Sequence, residues 1–322
     1  MRKITKVLVA GGSGFVGTNL LKFIAKEKRY RLFSTYFKNK NFIRYKNVRY
    51  IRANLEDFKQ CKQITKNIDL VFMCAANSSG AKIMENSPLD HFNGNIRMNI
   101  NMLQASFFNK VSKFVFISSN TVYPVSTKKV DEKSVTNNFF EKYYIVAWMK
   151  RFSEIACGIY SEKLNKMMTI IIRPGNLYGP YDKFEKSKSK VIPSLIAKVL
   201  SKSKILNVWG DGRDIKDFLY IDDFIKGLMK VVKKNKKIYE VVNIASGKSI
   251  SINKIIRMIF KITNLKKKIK YNMNMPTMIP LRLIDIKKVN RKYGFRAKIS
   301  LATGLKKTLD WYRENQNLNL GY

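Results

Sequence analysis

The chain has 322 residues, 45% of them hydrophobic, which permits a sizeable core and one large α/β unit or two closely joined lobes. Sixty-three Lys and Arg against 22 Asp and Glu give a formal charge of +41, but the cations are spread along the chain. Together with abundant Asn, Ile, Phe and Tyr they form the pattern of an A+T-rich genome, which argues against specific nucleic-acid binding and leaves room for smaller anionic partners. No stretch approaches 18 apolar residues, the run Val7–Ala10 is too short for a signal segment, and Cys61, Cys74 and Cys157 lack disulfide or metal-ligand spacing, so a cytoplasmic protein without a membrane span or metal site is expected.

The first element is a short strand, Lys6–Ala10, running into Gly11-Gly12-Ser13-Gly14-Phe15-Val16-Gly17 and then a helical stretch over Thr18–Lys26. In this strand–turn–helix setting Gly11 allows a tight turn, Gly14 lets the backbone approach a pyrophosphate, and Gly17 lets helix and strand pack closely. The free N–H groups at the helix start then meet the anion. Further strands are expected at Arg31–Tyr36, Val48–Arg52, Asp69–Cys74, Lys113–Ser118 and Thr169–Arg173, with helices between them. Leu70–Cys74 and Phe114–Ile117 read as continuous apolar runs, as strands buried on both faces do. The fold class expected is therefore α/β, a Rossmann-type doubly wound parallel sheet. After Arg173-Pro174 the rhythm changes to a Lys- and Ser-rich loop (Lys183–Lys190), a helix near Ile192–Leu200 and short elements. This predicts a dinucleotide-binding domain over 1–174 and a smaller C-terminal α/β substrate lobe over 175–322, with segments near 215–245 returning to the first domain.

Four stretches in one order resemble the extended short-chain dehydrogenase/reductase superfamily, in its nucleotide-sugar epimerase/dehydratase branch: Gly11–Gly17 with Cys74-Ala75-Ala76, Asn95–Leu103, Phe116–Tyr123, and Arg173–Pro180. Trp209–Gly212, Asp217–Asp223 and Leu301–Tyr312 extend the similarity to most of the chain. The resemblance implies an NAD(P)-dependent enzyme, of the epimerase, dehydratase or GDP-fucose-synthase type, that passes hydride between a sugar carbon and the nicotinamide. It implies cofactor contacts at Gly11, Ser13, Gly14, Phe15, Val16, Gly17, Asn54, Leu55, Cys74, Ala75, Ala76, Asn95, Lys150 and Pro174. It also implies substrate contacts at Asn176, Lys216 and Arg282, and a homodimer built on the helix that holds the lysine. Where the second strand commonly ends in an acid that selects NAD, this one ends in Thr35-Tyr36-Phe37-Lys38, so a 2′-phosphate is better tolerated and NADP is the expected cofactor.

By the same resemblance Ser119 binds the reacting sugar oxygen and a Tyr-x-x-x-Lys pair moves the proton, the lysine being Lys150. Residues four apart share a helix face, so the ammonium can hold the ribose and lower the phenol pKa. Here the partner position is Val146, which carries no proton. Tyr143 lies seven residues before Lys150, about 10.5 Å along a continuous helix, too far for direct coupling. A helix starting only near Val146 would let Tyr143 or Tyr144 swing back, and Tyr123 is a third phenol near Ser119. The alternative reading is a cofactor-binding but catalytically silent subunit. Lone His91 is expected to be structural or exposed, and no Ser/His/Asp nucleophile system can be built around it.

Overall fold

The computed structural model describes residues 4–77, 88–185, 188–275 and 279–315. Its centre is a parallel sheet of seven strands, β1 (Thr5–Ala10), β2 (Tyr30–Tyr36), β3 (Val48–Arg52), β4 (Leu70–Met73), β5 (Lys113–Ile117), β6 (Met168–Pro174) and β10 (Tyr239–Ile244), in the order β10-β6-β5-β4-β1-β2-β3. The expected strands agree with these bounds to within a residue at each end. Side chains alternate across the sheet as the pleat requires. Val7 and Val9 enter one core with Leu20, Leu21 and Ile24, while Leu8 and Ala10 enter the other with Val71, Phe114 and Ile171. With both faces covered, Leu70–Met73 is buried at every position, which is why it reads as an unbroken apolar run.

Helices α1 (Phe15–Ile24), α2 (Phe58–Ile64), α3 (Pro88–Phe108), α4 (Tyr144–Gly158) and α6 (Ile221–Lys234) accompany the sheet, and α3 packs on α4, with Asn99 Nδ2 donating to Ser153 Oγ at 3.0 Å. His91 falls within α3, but its side chain lies outside the described residues. From the second half, β10 joins the main sheet beside β6. In contrast, β9 (Ile215–Tyr220) is the middle strand of a second sheet between β7 (Asn176–Tyr178) and β11 (Ser249–Ser251). A third, two-stranded sheet pairs β8 (Ile205–Trp209) with β12 (Lys268–Asn272). Helices α5 (Val191–Leu200), α7 (Ile252–Thr263), α8 (Lys287–Tyr293) and α9 (Leu301–Glu314) complete this part. Its apolar residues, including Ile196, Leu206, Phe224 and Leu305, belong to the same core as Val7 and Val9. Among the described residues no helix is long and apolar enough to cross a membrane. Cys61 and Cys157 are buried, Cys74 is half-buried, and all three are free.

Candidate active site

The strand order reverses between β1 and β4, and a sheet that changes direction there leaves a crevice at the carboxyl ends of those two strands. The glycine turn leaves β1 into that crevice and is pinned to the end of β2. Gly11 N–H donates to Thr35 Oγ1 at 2.9 Å, and Gly12 N–H donates to the Thr35 carbonyl at 3.0 Å. Gly11 has φ +84°, and a Cβ there would stand 2.5 Å from the Ala75 Cα. A Cβ on Gly17 would stand 2.2 Å from the Gly11 carbonyl oxygen, so turn and helix close only without side chains. Gly12 is just as constrained, its Cβ position lying 1.8 Å from Ser34 Oγ, and the sequence reading missed this because its cause is on another strand. At Gly14 an added Cβ meets only the Gly11 oxygen, at 3.4 Å. Gly14 caps α1 without a side-chain acceptor, so the first-turn N–H groups at Phe15, Val16 and Gly17 are left without a side-chain cap. That cradle, with a helix N-terminus aimed into it, fits a pyrophosphate.

The surrounding residues divide by what their side chains already hold. Cys74 N–H donates to the Ala10 carbonyl at 3.0 Å, fixing Cys74-Ala75-Ala76 beside the turn. Asn95 is buried, and its amide clamps the Asn77 backbone, accepting from N–H at 2.8 Å and donating to the carbonyl at 3.1 Å. It thus holds the loop after β4. Asn54 N–H donates to Gln60 Oε1 at 2.9 Å beside buried Leu55, just after β3. Pro174 ends β6, and its carbonyl accepts from Asn120 Nδ2 at 2.9 Å. Lys38 is exposed just beyond β2. Near it Arg44, which the sequence reading did not single out, stands 5.1, 4.6 and 5.4 Å from the ring centres of Tyr36, Phe42 and Tyr50.

At the end of β5, Ser119 Oγ caps a short turn over Asn120–Val122, accepting from Thr121 N–H at 3.2 Å and Thr121 Oγ1 at 3.0 Å. Its own proton remains available to an outside oxygen. Lys150 reaches the same place from α4, donating to the Ile117 carbonyl at 2.9 Å, with its Nζ 4.9 Å from the Phe116 ring centre. Desolvation pulls the Lys150 pKa down to about 8, against the opposing pull of Glu154. Val146 is half-buried one turn before it.

The three phenols separate clearly. Tyr123 is fully buried, accepts from Arg173 Nη1 at 3.0 Å and donates to Asn243 Oδ1 at 2.6 Å. That makes it part of the core rather than the crevice. Tyr144 is exposed and stacks edge-on against Trp148 at 6.2 Å. Tyr143, at the end of a 3₁₀ turn over Glu141–Tyr143, is half-buried and within the field of Asp214 before β9. Burial and that carboxylate raise its phenol to about 12, so it holds its proton at neutral pH. The helix therefore begins at Tyr144 rather than near Val146.

Asp214 also accepts from Lys216 Nζ at 2.7 Å, and buried Lys216 further donates to the Ile279 carbonyl at 3.1 Å. Arg282, close enough to depress the Lys216 pKa, is itself buried. Its two Nη groups donate to the carbonyls of Pro124 (2.8 Å) and Tyr123 (3.0 Å), while its Nε has no partner. Desolvation brings the Arg282 pKa down to about 10. Asn176 Nδ2 donates to the Asp217 carbonyl at 2.9 Å, on the neighbouring strand.

Sheet order, glycine turn and open helix end define a Rossmann-type α/β protein. The sequence model of the NAD dependent epimerase/dehydratase family matches residues 7–245. Two enzymes align over most of both chains: a Streptomyces dTDP-4-dehydro-6-deoxy-D-allose reductase at 26% identity, covering 95% of this chain and 96% of that one, and the GDP-L-fucose synthase of Sinorhizobium fredii at 30%, covering 76% and 79%. The Bacillus cereus UDP-glucuronic acid 4-epimerase, solved with UDP-glucuronic acid and NAD, superposes with a TM-score of 0.83 over 96% of this chain and 99% of its own, at 24% identity, and shares the fold. The chain belongs to the NAD dependent epimerase/dehydratase family.

Proposed function

We propose that the chain is an NAD(P)-dependent enzyme acting on a nucleotide-diphosphate sugar, with epimerase, dehydratase or reductase outcome. The observation that carries this reading is that Ser119, with its proton free, and Lys150 meet at the end of β5, two strands from the glycine turn at the end of β1, while buried Arg282 holds the Tyr123 and Pro124 carbonyls just after Ser119. The bound nicotinamide supplies or accepts the hydride. Ser119 donates to the reacting sugar oxygen, Lys150 holds the nicotinamide ribose, and Tyr143, which keeps its proton and faces Asp214, donates or recovers the proton that Val146 cannot carry. Tyr144 stands outside the crevice. Lys216 and the unpartnered Arg282 Nε meet the diphosphate, which answers the cost of burying an unpaired cationic donor.

Two finer assignments follow. NADP is the cofactor: no acid ends β2, and Lys38 and ring-held Arg44 stand where a 2′-phosphate would need cations. The protein is a cytoplasmic homodimer: Tyr144, Phe152, Ile155 and Ile159 form an exposed apolar stripe along α4, with exposed Phe108 at the end of the adjoining α3. The silent-subunit reading is not favoured, because the relatives matched along the chain are enzymes. The test titrates the protein with NADP+, NADPH, NAD+ and NADH, then adds GDP-, UDP-, CDP- and dTDP-sugars to each complex. Binding followed by a new sugar supports the proposal, and binding with no product from any sugar favours the silent subunit.

A further inference from the structure

Helix α4 grips two consecutive residues of the β5 exit with side chains one helical turn apart. Lys150 donates to the Ile117 carbonyl, and Glu154, fully buried, accepts from Ser118 Oγ at 2.5 Å. Ser119 is the next residue. Behind Glu154 the buried Arg173 forms a two-pronged pair, Nε to Oε1 at 2.9 Å and Nη2 to Oε2 at 2.7 Å, and carries the network through Tyr123 to Asn243 on β10. Arg151 adds a second cation at 3.3 Å from the solvent side. Such a carboxylate, taken out of water and satisfied by four donors, has one geometry.

We propose that Glu154 is a positioning residue for this site: it locks the strand end that carries Ser119 onto the helix that carries Lys150, and it sets its carboxylate one helical turn after that lysine, where Val146, one turn before it, offers no phenol. The assignment rests on the catalytic reading above for its purpose, but not for its test. Among the described residues, the charged or titratable groups that act on Lys150 are Glu154 on its own helix, Cys74 after β4 and Lys190 at the start of α5. The Cys74 thiol is raised to about 12 by burial, so it is neutral at working pH, and Lys190 repels. Glu154 is the one anion in this set.

The experiment titrates Lys150 directly in the cofactor-free protein, by NMR of ¹³C-dimethylated lysines assigned with a Lys150→Arg control, in wild type, Glu154→Asp and Glu154→Gln. Because Glu154→Gln leaves Arg173 buried without a counter-charge, the paired variant Glu154→Gln/Arg173→Met is made alongside it. Loss of the carboxylate should lower the Lys150 pKa by about one unit or more in Glu154→Gln and by a smaller but measurable amount in the paired variant, where the adjoining cation is removed as well, whereas Glu154→Asp should keep it near wild type. If the protein turns over, the neutral variants should lose kcat at least about tenfold, move the alkaline limb of the pH profile to lower pH, and leave KM for the nucleotide sugar within about twofold. An unchanged Lys150 titration in a folded neutral variant overturns the proposal, whether or not turnover is found. Absence of turnover with a shifted titration overturns only the catalytic reading.

Discussion

At the residue scale the chemistry depends on which proton each group can give. Ser119 has its two acceptor positions filled by Thr121 and one proton left, so Ser119→Ala should remove a donor to the sugar oxygen and lower kcat by about 100-fold with the fold intact. Tyr143→Phe should cost about 100-fold or more, and Tyr144→Phe should stay within twofold of wild type; equal loss in both would remove Tyr143 from the reaction. The Lys150 pKa is depressed, so the ammonium is present below about pH 8 and disappears as pH rises through that value. Activity and cofactor affinity should therefore share an alkaline limb near pH 8, absent in Lys150→Arg, whose guanidinium does not titrate there. Ser119 and Lys150 are legible in the sequence only through the resemblance of their segments to the family pattern, from which Val146 departs. It cannot separate the phenols, since the burial of Tyr123 is decided by Arg173 fifty positions later and the direction of Tyr143 by Asp214 on a later loop.

At the element scale the same distinction explains what was legible. The strands of the main sheet announce themselves because a parallel strand between two helix layers has no wet face. In contrast β8 alternates exposed and buried, β12 is mostly exposed, and β7 and β11 have three residues each, so their pairing is fixed by tertiary contact rather than by local pattern. Arg44 escaped notice because its three rings come from β2, the loop after it and β3. Arg44→Ala should weaken NADPH binding by about tenfold or more while leaving NADH nearly unchanged, measured by quenching of protein fluorescence. Equal weakening of both would place Arg44 away from the 2′-phosphate. The glycine turn makes a stricter demand: Gly17→Ala puts a methyl on the Gly11 carbonyl and should abolish dinucleotide binding and lower the thermal midpoint together.

At the scale of the whole molecule, one core runs from the main sheet into the second and third sheets, so the crevice is walled by elements that fold together. The exposed stripe on α4 includes Tyr144, Phe152 and Ile155. Ile155→Glu should convert a dimer to a monomer by light scattering, and a wild-type monomer would contradict the assembly proposed here. In the proposed function, the part of the +41 formal charge that acts is a few buried or ring-held cations, Lys150, Lys216, Arg282 and Arg44.

The most direct measurement is chromatography with product mass after each nucleotide sugar is incubated with NADP+ and, separately, with NADPH. The proposed function predicts one of three signatures for at least one sugar: a new peak of unchanged mass or loss of one water with the oxidised cofactor, or gain of two hydrogens with consumption of NADPH. Tight cofactor binding with every sugar recovered unchanged under both cofactor forms would contradict it.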